Sequence, residues 1–155
     1  MTLVGKREVR EAVISLKSFN VSRIISSDLR RASQTASIIS KSLGILIEFD
    51  SELREINNGV LAGMRNEIAN KEYPELYYSS LDFDQPYPLG ESPEEFFFRV
   101  KTFFEKLSKI DEKCILLVTH QGVIDVINTR VSNTEYTNKR PSVRVMPAHY
   151  LILNI

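Results

Sequence analysis

One cysteine in 155 residues rules out an internal disulfide framework. That residue, Cys114, lies inside the apolar run Lys113 to Thr119, so a reducing compartment, the cytoplasm, is the expected setting. Two histidines and the one cysteine, widely separated, form no metal-ligand spacing, and no metal or other cofactor is expected. Lys+Arg 20 against Asp+Glu 20 leaves no net charge, which argues against an extended nucleic-acid surface. No apolar stretch approaches bilayer-spanning length, and the first residues, MTLVGKREVREAV, lack the apolar centre of a signal peptide, so no membrane partner is expected. Neither GxxxxGK[ST] nor GxGxxG occurs, which removes the common nucleotide-phosphate loops. Hydrophobic residues at 43% are enough for one buried core, and residues 1–155 read as a single domain.

What the chain does have is centred on Arg23 to Ala36, RIISSDLRRASQTA. Ile24 and Ile25 fit a buried strand, and Ser26, Ser27 and Asp28 are short polar residues of the kind that cap a helix. Arg30 and Arg31 then fall in the first helical turn, where cations oppose the helix dipole. A bound anion removes that conflict, since a helix N-terminus and a guanidinium fork both suit phosphate. Two solvated arginines on an ordinary surface helix are the plain alternative.

Around this stretch the chain alternates helix and strand. Thr2 can cap a helix whose Val9, Val13 and Leu16 share one face. Val21 to Ser26 reads as a strand, the helix after Asp28 ends at Gly44, and Ile45 to Phe49 is a second short strand. Asp50 to Gly63 is loop-like, and its Glu55 lies between apolar residues where desolvation would raise its pKa; a surface glutamate paired with Arg54 or simply solvated is the alternative. Tyr73 to Pro88 is proline-broken and aromatic, a surface excursion suited to cover or border a site, with an irregular packing segment as the equal alternative. Ser92-Pro93-Glu94-Glu95 is a capping box that opens a helix with a broad apolar face. Lys113 to Thr119 reads as a buried parallel strand ending at His120-Gln121-Gly122, where helical spacing resumes, and Arg144 to Ile155 as a closing strand. This order predicts an α/β fold with a parallel sheet, whose ligands bind at the carboxyl ends of strands.

Two strand-to-helix junctions thus carry Ser26, Ser27 and Arg31, and His120, Gln121 and Gly122, with Glu55 on a loop as third member. An arginine to neutralise phosphate oxygens, a histidine to donate to them or attack, and an acid to protonate a leaving oxygen suit phosphoryl transfer. Cys114, in mid-strand, is a poor thiolate nucleophile.

SSDLRRASQTA at Ser26–Ala36 resembles the SSDLxRAxQTA segment of the histidine phosphatase superfamily, the phosphoglycerate mutase-like proteins. Leu53-Arg54-Glu55-Ile56 with Gly59 and Gly63, Pro88-Leu89-Gly90-Glu91-Ser92, and Val118 to Ile124 resemble three further segments of that family in the right order. The resemblance implies a three-layer α/β/α fold with a mostly parallel central sheet. It also implies metal-independent hydrolysis of phosphate monoesters through a phosphohistidine, phosphatase rather than mutase. It makes Glu55 the general acid and His120 a catalytic group that holds the phosphoryl group. It makes Arg31, with His120 and Gln121, phosphate-binding, and the partner a phosphorylated small molecule or phosphate ion. The family's nucleophilic histidine lies in an N-terminal RHG motif, and RHG does not occur here; Met1 to Gly5 resembles the LTxxG that follows it. The resemblance therefore implies that the central strand bearing that motif is absent, as in a fragment or in a short relative whose gap another strand fills, a second copy's included. It implies weak or no turnover, unless His120 or His149 serves as nucleophile. A catalytically silent phosphate-binding or assembly module is the alternative.

Overall fold

The computed structural model describes residues 1–154. Among the described residues five α-helices and three strands follow in the order α1 (Leu3–Leu16), β1 (Arg23–Ser26), α2 (Arg30–Leu43), β2 (Ile47–Phe49), α3 (Asn66–Glu72), α4 (Pro93–Leu107), β3 (Ile115–Val118) and α5 (Gln121–Val131). The strands form one parallel sheet in the order β2-β1-β3, with Ile24 opposite Ile47 on one side and Leu116 on the other.

Successive residues of β1 point to opposite faces, and each face has its own core. Ile24 packs with Val9, Val13 and Leu16 of α1 and Ala32, Ala36 and Ile39 of α2. Ile25 packs with Phe96, Val100, Phe103 and Leu107 of α4 and Val123, Val126 and Ile127 of α5. Two helices on each face make the three-layer α/β arrangement.

The local signals act much as the residues suggest. Thr2 caps α1 by accepting from the Gly5 N–H at 3.1 Å. Gly44 ends α2 at φ +73°, a conformation that glycine adopts at little cost. Ser92 and Glu95 complete the capping box of α4, at 3.1 and 2.9 Å. The segment after α3 is irregular through Ser92, as its prolines require.

Three expectations are corrected. The N-cap of α2 is Leu29, which makes no side-chain cap. Ser27 instead accepts the Leu29 N–H at 3.3 Å, and Asp28 pairs with Arg54 across the loop, Arg54 Nε to Asp28 Oδ1 being 2.6 Å. The apolar run at β3 is not a fully buried strand: Ile115, Leu116 and Leu117 are only partly buried, because β3 is an edge strand paired, among the described residues, with β1 alone. Residues 144–154 form no strand; Ala148 packs against the core on one face and Leu153 against the core on the other, without a ladder to β3. The last residue of that expected strand, Ile155, lies outside the described residues.

Candidate active site

Strands β1 and β3 run parallel, so their carboxyl ends deliver Ser27 and His120 to the same side of the sheet, where α2 and α5 begin. Ser27 donates its N–H to the Val118 carbonyl at 2.9 Å, which carries the pairing one residue past the strands. His120 is the N-cap residue of α5 and is 7% exposed, buried enough that each ring nitrogen needs a partner. It has two: Arg31 Nε donates to His120 Nδ1 at 3.0 Å, and His120 Nε2 lies 2.9 Å from the Ser27 hydroxyl. Because Nδ1 accepts, the proton of the neutral ring belongs on Nε2, directed at Ser27.

Arg31, in the first turn of α2, is exposed apart from this contact. Arg30, one residue earlier and about 100° around the helix, is exposed. Burial, the Arg31 guanidinium and that of Arg99 together press the His120 pKa down to about 4, so the ring is neutral at pH 7.

Glu55 approaches from the loop between β2 and α3. Its Oε2 accepts the Gly122 N–H and its Oε1 the Ile56 N–H, both at 3.3 Å. Burial pushes its pKa above the usual carboxylate range; those two N–H groups, Arg31 and Arg99 offset only part of the shift. A carboxyl so placed is suited to hold a proton and release it. Arg54 is not its partner, being paired with Asp28. A Cβ on Gly122 would lie 2.4 Å from Glu55 Oε1 and 3.1 Å from Phe96 Cζ, so a side chain here would have to push the acid aside.

Gln121 is occupied differently: its amide donates to the Val143 carbonyl at 2.7 Å and accepts the Val145 N–H at 2.9 Å. The side chain straps the C-terminal segment to α5, leaving its backbone N–H, in the first turn, as its group for an anion. His149 is exposed, with Nδ1 3.0 Å from its own neighbour's carbonyl, Pro147 O. Among the described residues no group of three or more His, Cys, Asp or Glu side chains could hold a metal ion, and no helix is long and apolar enough to cross a membrane.

Several supporting side chains carry no signal at the level of sequence. Thr119 donates to the Leu53 carbonyl at 2.8 Å, tying the acid's loop to the residue before His120. Arg99 of α4 forks onto Glu91 at 2.8 and 2.9 Å and lies over the Phe96 ring. From the aromatic excursion, Tyr78 reaches the Tyr136 hydroxyl and packs edge-on against Phe96, the ring that meets Gly122. The Glu55 charge reaches both tyrosines and contributes to raising their pKa, although burial is the larger cause and takes Tyr136 to about 12.

The family model of the histidine phosphatase superfamily (branch 1) matches residues 1–155. A probable phosphoglycerate mutase, GpmB, of Escherichia coli O1:K1 / APEC is 33% identical over 126 residues, covering 79% of this chain and 58% of that protein. The matched stretch thus spans less than two thirds of that relative. Among solved structures, the alpha-ribazole phosphatase from Shigella flexneri shares the fold at a TM-score of 0.76 and 20% identity, over 99% of this chain and 87% of that one. A mycobacterial glucosyl-3-phosphoglycerate phosphatase in complex with inorganic phosphate does so at 0.74 and 23%, over 87% and 70%. The chain belongs to the histidine phosphatase superfamily.

Proposed function

We propose that, within this superfamily, residues 1–155 form one domain whose Arg31–His120 junction binds the phosphoryl group of a phosphate monoester. The observation that carries this reading is the 3.0 Å contact of a guanidinium with a neutral imidazole at the carboxyl ends of two parallel strands. Two like cations would repel there, so the pair is stable only while His120 is unprotonated. An anion between them favours the imidazolium and engages both groups. The backbone N–H groups of the first turn of α5, that of Gln121 included, add dipole attraction.

The chemistry that this site supports is hydrolysis, a phosphatase rather than a mutase. A histidine nitrogen, which in this chain can only be that of His120 or His149, attacks phosphorus, the bond to the ester oxygen breaks, and Glu55 in its protonated form gives its proton to the departing alkoxide. Water, deprotonated by the Glu55 carboxylate, then attacks the phosphohistidine, which releases phosphate and frees the imidazole. Glu55 and His120 are the catalytic residues of this reading, Arg31 the phosphate anchor, and no metal or cofactor is needed. That the mycobacterial relative of the same fold holds inorganic phosphate agrees with it.

The nucleophile is the weak member of the set. The chain has two histidines, of which His120 is engaged at both nitrogens and His149 is exposed and bonded to Pro147. This favours a second reading, a chain that holds phosphate with weak or no turnover. Among the described residues β3 has a strand on one side only, and that edge supports its companion, association with a strand from another copy. Turnover of an aryl phosphate by this chain, with His120→Ala beside it, separates the two. Turnover no higher than that of the variant fits the binding reading, since losing one member of a catalytic unit can cost on the order of 10⁶ in rate. Clear turnover abolished in the variant restores hydrolysis as the activity of the chain itself.

A further inference from the structure

Glu55 sits on an irregular loop, yet it must meet an N–H on a helix of another layer. Two charged residues outside the site account for how it does so. Arg99 points from α4 with its side chain 17% exposed, and Glu91, 22% exposed, receives its fork. The remaining nitrogen, Nη1, donates to the carbonyls of Glu52 at 2.6 Å and Arg54 at 3.1 Å. Glu91 Oε2 also accepts the Asn57 N–H at 2.8 Å, and the Glu91 N–H donates to the Asn57 carbonyl at 2.8 Å. The cation therefore grips the loop before Glu55, and the anion grips it after. With Leu53 fully buried and its carbonyl taken by Thr119, residues 52, 53, 54 and 57 are all anchored. Only residues 55 and 56 are left to turn toward Gly122.

We infer that the Arg99–Glu91 pair is a positioning device for Glu55, suspending the loop from α4 at both ends so that the carboxyl meets the N-terminus of α5. This rests on the reading of Glu55 as the acid of the site, and it assigns a task to the glutamate of the Pro88–Ser92 turn. The geometry is specific to arginine. A lysine keeps the charge but has neither the planar fork nor the spare donors that reach two carbonyls.

The test follows the Glu55 carboxyl by NMR titration in the wild-type chain, Arg99→Lys and Glu91→Gln. The charged and titratable groups that interact with that carboxyl are Arg31, Arg99, Tyr78 and Tyr136, and all but Arg99 are unchanged in the variants. In both variants the Glu55 titration is expected to fall toward that of an ordinary glutamate, as the loosened loop admits water. Gly122 amide exchange should accelerate in parallel. A purely electrostatic role predicts that Arg99→Lys behaves as wild type, and that result overturns the inference. So does an unshifted Glu55 in Glu91→Gln, which decides alone if Arg99→Lys does not fold. Binding of inorganic phosphate, measured on the same samples, tests the underlying reading separately. Its absence in the wild-type chain removes the phosphate site without altering what the Glu55 titration says about the clamp.

Discussion

At the scale of the residue, the site is defined by protonation states that burial imposes. His120 is held neutral by its surroundings, and this sets a sign for the stability of the fold. The folded ring takes up its proton only near pH 4, whereas in the unfolded chain it does so near its ordinary 6.5. Between those values the unfolded state binds more protons, so the contribution is complete above 6.5 and is lost as the pH falls toward 4. Urea unfolding at pH 7 and pH 5 should show a loss of stability that is smaller in His120→Gln; an equal loss in both would mean that the ring is not held neutral. Arg31, Glu55 and His120 were legible in the sequence because each stands at a position with a local meaning: a helix start, an acid among apolar neighbours, a strand end. Ser27 as partner of the ring, Thr119 as tether and Arg99 as clamp were not legible. Each acts on a residue 45 to 93 positions away, and only the packed sheet brings them together.

At the scale of the element, the N-terminus of α5 is where loop and helix meet, and Gly122 controls the meeting. Gly122→Ala must push the Glu55 carboxyl aside and shift Phe96 by a few tenths of an ångström, and overpacking of this kind costs up to about 1–3 kcal/mol, toward the low end where a flexible side-chain end gives way. We expect a loss of that size in denaturant unfolding, with the Glu55 titration moved toward ordinary glutamate; an unchanged titration would show that the acid does not depend on this contact. Helices α1, α2 and α4 could be read in advance because their stop and start signals are local: Thr2, Gly44, and the Ser92–Glu95 box. The segment 144–154 has the composition of a strand and is none, because strand formation needs a partner ladder as well as suitable side chains. The start of α2 departs from the capping expectation for a related reason. Ser27 and Asp28 are good capping residues, but the site and Arg54 claim their oxygens.

At the scale of the whole molecule, a three-stranded parallel sheet with two helices on each face turns four separated sequence segments into one surface. The alternation of strand and helix made that class readable from the chain alone. The exposure of β3 was not readable, because an apolar run looks the same at the centre of a sheet and at its edge. The central claim is that this surface binds phosphate through Arg31. Its most direct measurement is titration of vanadate or inorganic phosphate into the wild-type chain, Arg31→Ala and Arg30→Ala. A lost charge-assisted contact is worth about 1.5–3 kcal/mol, or roughly 10- to 150-fold in affinity. The account predicts that loss in Arg31→Ala and near-wild-type binding in Arg30→Ala, which removes the same charge from the same helical turn. Equal losses in the two variants, or no binding by the wild-type chain, would contradict it.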